Sequence, residues 1–207
     1  TSQRTSQMPY NKGGKLTMEE SLRKIYIDFD VLYQGILSVC ADCGDHDCEG
    51  YVWLLPEEAS ALYDLNISIV EINNNTSFIN SFEEVNGRLL IERPKPPCKL
   101  RHRGLCSIYT SRPLVCRMYP IGFATIQNEV SVVLHKDCQF ARGLKGREKE
   151  LFLLKVLRTF EYTSPKLLMN IMDTYGKVDA ISAFPDGSNI FEVIAPLRAL
   201  INPNERR

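Results

Sequence analysis

The chain has 207 residues, of which 44% are hydrophobic, and this is enough to form one sizeable core. Its 25 basic side chains balance 25 acidic ones, so the overall charge gives no sign of a nucleic acid or an anionic membrane as partner. No stretch approaches the roughly 18 consecutive apolar residues of a transmembrane helix. Residues 1–16 are polar, lack a secretory signal, and are predicted to form a flexible leader in a cytoplasmic protein.

The first half of the chain predicts two helices and two short strands. Thr17 and Glu20 form a capping box that starts the first helix, although residues 25–29 also alternate as a strand would. Pro56 is followed by two glutamates and predicts a second helix that runs to about Leu65. Strands are predicted over residues 68–72 and 88–92.

The second half predicts an extended segment, a hairpin and several helices. Residues 107–109 are expected to be extended, and Pro113 then opens a short helix. A hairpin is predicted to turn at Asn128-Glu129. Helices are expected over 147–162, after Pro165 and over 190–201. Their predicted core positions are Leu151, Leu154, Leu157 and Phe160 in the first, and Leu167, Leu168 and Ile171 in the second.

These elements predict an α+β fold. Residues 17–140 are expected to form a small cysteine-rich, metal-binding core with short strands and a β-hairpin. Residues 141–207 are expected to form a helical part that packs on the same core.

Seven cysteines are the most informative feature of the composition. Their odd number, the size of the chain and the lack of a secretory signal disfavour a disulfide framework. Inert buried thiols would explain one or two of them. Metal ligation explains a set with this spacing, so all seven are candidate ligands: Cys40, Cys43, Cys48, Cys98, Cys106, Cys116 and Cys138.

The cysteines fall into two groups and one isolated residue. Cys40-x2-Cys43-x4-Cys48 begins with a pair whose sulfurs can converge on one ion from a tight turn. Cys98-x7-Cys106-x9-Cys116 is the second group, and Cys138 follows the predicted hairpin. Four thiolates satisfy one zinc ion, so seven leave open two centres or one larger cluster with cysteines to spare.

Basic residues surround the second cysteine group. The segment 93–117 contains seven lysines and arginines and no acid. Nearby cations suit an anionic thiolate centre, because they lower thiolate pKa values and tune the reduction potential. The alternative is a solvated basic face or a site for an acidic partner.

The second group also carries a resemblance to a known family. The segment 97–100 (Pro-Cys-Lys-Leu) and the block 106–120 (Cys-Ser-Ile-Tyr-Thr-Ser-Arg-Pro-Leu-Val-Cys-Arg-Met-Tyr-Pro) resemble the YkgJ-type cysteine-cluster family, which is described as zinc- or iron-chelating and includes flagellin lysine N-methylases. The likeness spans about half the chain, from Cys40 to Cys138. The first knot departs from the family's C-x2-C-x2-C-C pattern, and His46 or Glu49 is an alternative for the missing ligand.

The resemblance implies a cysteine-ligated iron–sulfur cluster of the 4Fe–4S type, with zinc as the alternative metal. For the methylase branch it implies methylation of lysines in a protein substrate, with S-adenosylmethionine as donor. The sequence itself contains neither a G-x-G-x-x-G loop nor the C-x3-C-x2-C of radical enzymes. Two rival interpretations are a structural zinc module that scaffolds a protein partner and a metal chaperone.

Four further residues are candidates for contact with the cofactor. Arg112 and Arg117 flank Cys116 and could donate to a sulfur or to a substrate anion; the alternative is a buried arginine paired with an acid of the fold. Tyr109 and Tyr119 are expected to pack against the centre and to form hydrogen bonds rather than to catalyse.

Overall fold

A computed structural model describes residues 16–34, 52–63, 69–72, 75–78, 82–85, 88–91, 100–102, 105–176 and 191–201. The described residues form a mixed α+β fold, which confirms the predicted fold class at this level. No helix within these ranges has the length and the apolar character that crossing a membrane requires.

Helix α1 spans Met18–Leu32 and begins at the predicted capping box. The Thr17 hydroxyl accepts a hydrogen bond from the Glu20 amide at 3.2 Å, and the Glu20 carboxylate accepts one from the Thr17 amide at 2.8 Å. The segment that could also have alternated as a strand is therefore helical. Leu22, Ile25 and Phe29 form its buried face.

Among the other described helices, only Gly146–Glu161 is longer than α1. Their bounds are α2 Pro56–Tyr63, α3 Leu114–Met118, α4 Gln139–Gly143, α5 Gly146–Glu161, α6 Pro165–Gly176 and α7 Leu197–Ile201. A single 3-10 turn, Tyr109–Ser111, precedes α3.

Within the described residues, the strands form two three-stranded antiparallel sheets and two small hairpins. The first sheet contains β1, β2 and β3 in the order β1-β3-β2. The second contains β8, β9 and β10 in the order β10-β9-β8. The two hairpins are β4-β5 and β6-β7. The bounds are β1 Val52–Leu54, β2 Ile69–Ile72, β3 Asn75–Phe78, β4 Phe82–Val85, β5 Arg88–Ile91, β6 Arg101–His102, β7 Leu105–Cys106, β8 Ile121–Ile126, β9 Glu129–His135 and β10 Phe191–Pro196.

The hairpin of β8 and β9 confirms the prediction, with its turn one residue earlier in the chain. Gln127 and Asn128 have φ of 54° and 65°, the left-handed conformation that two-residue hairpin turns favour at both central positions. Glu129 already belongs to β9, where it pairs with Ile126.

The helix predicted over residues 190–201 is wrong for its first half. Residues 191–196 form β10, which pairs antiparallel with β9 and shifts register between Val193 and Ala195. Pro196 ends this edge strand, a position where its missing N–H breaks no ladder. The C-terminal part is therefore not purely helical, because it supplies the third strand of the second sheet.

Two further local predictions are corrected. Residues 107–109 are not extended, because the Ser111 amide donates to the Ile108 carbonyl and closes a 3-10 turn. The helix α5 forms as predicted, but its core face is rotated: Leu151 and Leu154 are exposed, whereas Phe152 and Val156 are buried. The prediction followed the spacing of the leucines and therefore placed part of the buried face of α5 on the wrong side. Phe152, between the two exposed leucines in sequence, belongs to the face that is buried.

One apolar cluster connects the described elements on either side of residue 140, from Leu22 of α1 to Leu200 of α7. Aromatic rings form its centre. The Phe160 ring lies 5.8 Å from the Phe29 ring and 5.8 Å from the Phe123 ring, edge-on to both. Residues from both predicted parts thus pack together, while the boundary at residue 140 stays a prediction.

Gly122 in β8 lies directly against His135 of β9. A Cβ built on Gly122 would come within 2.6 Å of the His135 Nε2 atom. The imidazole cannot easily move aside, because its ring centroid is 5.2 Å from that of Tyr119 and 4.8 Å from that of Phe191. Glycine is therefore required here by close packing rather than by backbone conformation.

We expect Gly122→Ala to lower the free energy of unfolding by about 1–3 kcal/mol, the usual cost of overpacking. Urea denaturation measures this. Gly143→Ala is the matched control, because an added Cβ meets nothing within 4 Å there, and it should change stability by less than about 1 kcal/mol. Equal effects of the two substitutions would contradict the close packing of Gly122 against His135.

Candidate functional site

The structure describes three of the seven predicted ligands. Cys106 is half-buried in β7, Cys116 is half-buried in α3, and Cys138 is buried at the start of α4. All three are thiols rather than half-cystines. Cys40, Cys43, Cys48 and Cys98 lie outside the described residues. Within the described ranges, no three His, Cys, Asp or Glu side chains form a group that could hold a metal ion.

Helix α3, which carries Cys116, depends on its surroundings for stability. It has five residues, far fewer than the roughly 12–15 that an isolated helix needs in water. Its N-cap residue, Pro113, offers no side-chain hydrogen bond to the first turn. The position of Cys116 is therefore set by contacts from other elements.

Glu58 of α2 provides the first of these contacts. Its side chain is 5% exposed. One carboxylate oxygen accepts hydrogen bonds from the Leu114 amide and the Tyr26 hydroxyl, both at 2.5 Å, and the other accepts one from the Leu55 amide at 2.8 Å. Burial raises the pKa of Glu58, and the three donors oppose that rise. The carboxylate thus joins α1, α2 and the start of α3.

Arg117 provides the second contact. Its guanidinium donates from Nη1 to Asp30 of α1 at 2.6 Å, from Nε to the Arg112 carbonyl at 2.9 Å, and from Nη2 to the Thr110 carbonyl. The same group lies 4.5 Å from the centroid of the Tyr26 ring. This geometry fits the alternative of a buried arginine paired with an acid of the fold. Contact between Arg117 and a cofactor stays a prediction.

The end of α3 is fixed as well. The Tyr33 hydroxyl, just beyond α1, donates to the Met118 carbonyl, which satisfies one of the carbonyls that a helix C-terminus leaves without an internal partner. Contacts from α1 and α2 therefore reach the start, the middle and the end of the helix around Cys116.

Arg112 and Tyr109 form a pair near the surface. The Arg112 guanidinium lies 3.7 Å from the centroid of the Tyr109 ring, and its Nε donates to the Tyr109 carbonyl at 3.1 Å. Tyr109 is 39% exposed. Arg112 also approaches Asp30 at 3.9 Å, so the two arginines share one carboxylate.

Tyr119 carries a buried hydroxyl that finds no hydrogen-bond partner in the described structure. It follows Cys116 by three residues, and its ring packs at 5.2 Å from His135. Burial lowers the pKa of His135, which favours the neutral imidazole. A buried hydroxyl without a partner costs about 1–3 kcal/mol, so Tyr119 is the described side chain that a bound hydrogen-bond acceptor would best satisfy.

Tyr175 of α6 completes the polar surroundings of α3. Its hydroxyl donates to the Trp53 carbonyl at 3.2 Å. Burial, and then the charges of Glu58 and Cys116, raise the pKa of Tyr175. The Tyr175 hydroxyl is therefore near enough to both groups for their charges to affect its pKa.

The sequence did not reveal that Glu58, Tyr26, Asp30 and Tyr175 belong to these surroundings. Glu58 was identified as an acid in the first turn of a helix, which explains its contact with Leu55 but not the one with Leu114. No local signal could have linked residues separated by 56 positions.

The raised pKa of Glu58 predicts a pH dependence of stability. Between the ordinary value of 4.5 and the raised value, the folded chain holds a proton that the unfolded chain has released, so stability falls as pH rises. Glu58→Gln has no such proton. We expect the wild type to lose stability relative to Glu58→Gln as pH rises above 4.5, as measured by urea denaturation at several pH values.

Glu20→Gln is the control with the opposite sign. Hydrogen bonds from Thr17 lower the pKa of Glu20 below 4.5, so its contribution is present above that pH and disappears as pH falls through the lowered value. The wild type should lose stability relative to Glu20→Gln only on the acidic side. The same pH trend for both variants would refute this account.

Arg117→Lys keeps the charge but cannot reproduce the planar fork of donors. We expect it to lower the free energy of unfolding by about 1.5–3 kcal/mol, the usual value of a hydrogen bond to a charged group. Arg112→Lys is the control, because its ion pair with the half-exposed Asp30 is long, and it should cost less than about 1 kcal/mol. Chemical denaturation of both variants tests this, and a larger loss for Arg112→Lys would contradict the assignment.

Comparison of the chain with family models, with curated proteins and with solved structures gives no significant match.

Proposed function

We propose that this chain binds a cysteine-ligated iron–sulfur cluster of the 4Fe–4S type. The proposed ligands come from the seven cysteines, of which Cys106, Cys116 and Cys138 lie in the described structure. Cys40, Cys43, Cys48 and Cys98 are the other candidates.

The observation that carries the proposal is the way α3 is held. The five residues of α3 are held by the contacts of Glu58, of Arg117 with Asp30 and of Tyr33, yet Cys116 between these contacts is only half-buried. Metal ligands are typically oriented by such supporting contacts before the metal arrives. A thiol that is fixed in place and still accessible suits a ligand better than an inert core cysteine.

The chemistry around α3 is compatible with a sulfur-rich cluster. The buried Tyr119 hydroxyl is a donor that finds no acceptor in the described structure, and hydrogen bonds to cluster or cysteine sulfurs are one of the means by which proteins tune a cluster's potential. In the bound state the cluster would supply electron transfer or assistance to group transfer, while the chain would supply the ligands and this donor.

The resemblance to the YkgJ-type family extends the proposal to a substrate. It implies methylation of lysines in a partner protein, with S-adenosylmethionine as the methyl donor. This extension rests on the resemblance alone, which is carried mainly by the segment 97–100 and the block 106–120, and the cluster proposal does not depend on it.

Anaerobic purification followed by iron, sulfide and zinc analysis tests the proposal. We expect a brown protein with broad visible absorption from sulfur-to-iron charge transfer, and with iron and inorganic sulfide in equal amounts. A colourless protein with stoichiometric zinc would contradict the cluster and support a structural zinc module built from the same thiolates.

Substitution of single ligands provides a second test. Cys106→Ser and Cys116→Ser should each lose most of the bound iron and part of the stability of the loaded protein, because metal binding contributes to the free energy of folding. Val115→Ser is the matched control, since it places the same side chain at the preceding half-buried position of α3. Full iron content in Cys116→Ser, or equal iron loss in Val115→Ser, would refute Cys116 as a ligand.

A further inference from the structure

The start of α3 is capped by a side chain from another helix. The Leu114 amide is the first donor of α3, and it points to the Glu58 carboxylate at 2.5 Å. A carboxylate in this position satisfies an amide that the helix leaves without an internal partner and interacts favourably with the helix dipole. Pro113, at the N-cap, cannot serve in this way.

The same carboxylate also caps its own helix. Its second oxygen accepts from Leu55, which immediately precedes α2. Glu58 therefore fixes the start of α2 and the start of α3 relative to each other. Tyr26 binds the oxygen that faces α3, and through its ring Tyr26 supports the Arg117 guanidinium.

Cys116 lies two residues beyond this cap. A change at Glu58 would thus be transmitted to the Cys116 sulfur through a single turn of helix.

We propose that Glu58 is a positioning residue for Cys116: it sets the orientation of α3 and thereby the geometry of the Cys116 thiolate toward the cluster. The part of this inference that concerns the cluster rests on the proposed function. The part that concerns α3 holds for the metal-free protein as well.

Three variants separate this role from a general loss of stability. Glu58→Ala removes every contact of the carboxylate. Glu58→Gln keeps one oxygen, which can still accept from Leu114 and Tyr26. Tyr26→Phe removes one buried hydrogen bond of Glu58 but leaves the cap on α3 in place.

Hydrogen–deuterium exchange of the metal-free protein measures the cap directly. We expect amides in 114–118 to exchange about tenfold faster or more in Glu58→Ala, and near the wild-type rate in Glu58→Gln and Tyr26→Phe. Equal acceleration in Glu58→Ala and Tyr26→Phe, or none in Glu58→Ala, would overturn the inference. If Glu58→Ala does not fold, Glu58→Asp replaces it, because the shorter side chain cannot reach both helices.

The protein loaded with the cluster tests the effect on the ligand. We expect Glu58→Ala to change the midpoint potential of the cluster and the electron paramagnetic resonance spectrum of its reduced form. Glu58→Gln and Tyr26→Phe should retain the wild-type potential and spectrum. An unchanged spectrum and potential in Glu58→Ala would overturn the link to Cys116. A wild-type protein without a cluster would refute the proposed function, while the exchange measurement would still decide the role of Glu58 in α3.

Discussion

A short helix that cannot form alone is the constraint around which this structure is organised. Helix α3 owes its position to one buried carboxylate, which accepts from two backbone amides, and to one buried guanidinium, which donates to two backbone carbonyls. Buried charges of this kind are expensive unless fully hydrogen-bonded. The polar atoms of Glu58 and Arg117 find such partners, and we expect these contacts to favour one arrangement of α1, α2 and α3.

The two groups belong to one network. Tyr26 donates to Glu58 and presents its ring to Arg117, and Arg117 reaches Asp30 on the same helix. Residues of such a network are coupled, and the cost of removing one depends on the others. Helix α1 therefore has two roles. Its apolar face packs in the core, and its residues Tyr26 and Asp30 support the segment that carries Cys116.

Local sequence signals predicted much of the fold. The capping box at Thr17, the hairpin turn beside Asn128 and the apolar face of α6 each depend on residues close in sequence, and the structure confirms all three. The element β10 was missed because its partner strand lies more than 50 positions earlier, so pairing decided its conformation. Apolar spacing also failed in α5, where the buried Phe152 packs against the rings of Phe140 and Tyr33 while Leu151 and Leu154 are exposed.

The candidate site was predictable only in part. The cysteine spacing and the block 106–120 made Cys106 and Cys116 candidate ligands, which stays a prediction, and drew attention to Arg117. They did not show that Arg117 faces Asp30, or that a glutamate from α2 caps the helix of Cys116. Such partners are set by tertiary packing between distant segments, which the periodicity of a sequence does not predict.

The long separation of these partners also bears on how the molecule assembles. Asp30 and Arg117 are 87 positions apart, and the Ser21 hydroxyl accepts from the Ser164 amide across 143. Contacts between such remote segments carry a large loop-closure cost and slow folding. During synthesis, α1 leaves the ribosome well before its apolar partners in α5 and α6 exist. Because α1 supports the cysteine-bearing helix and itself packs against α5 and α6, we expect that helix to be fully fixed only after α5 and α6 have been made.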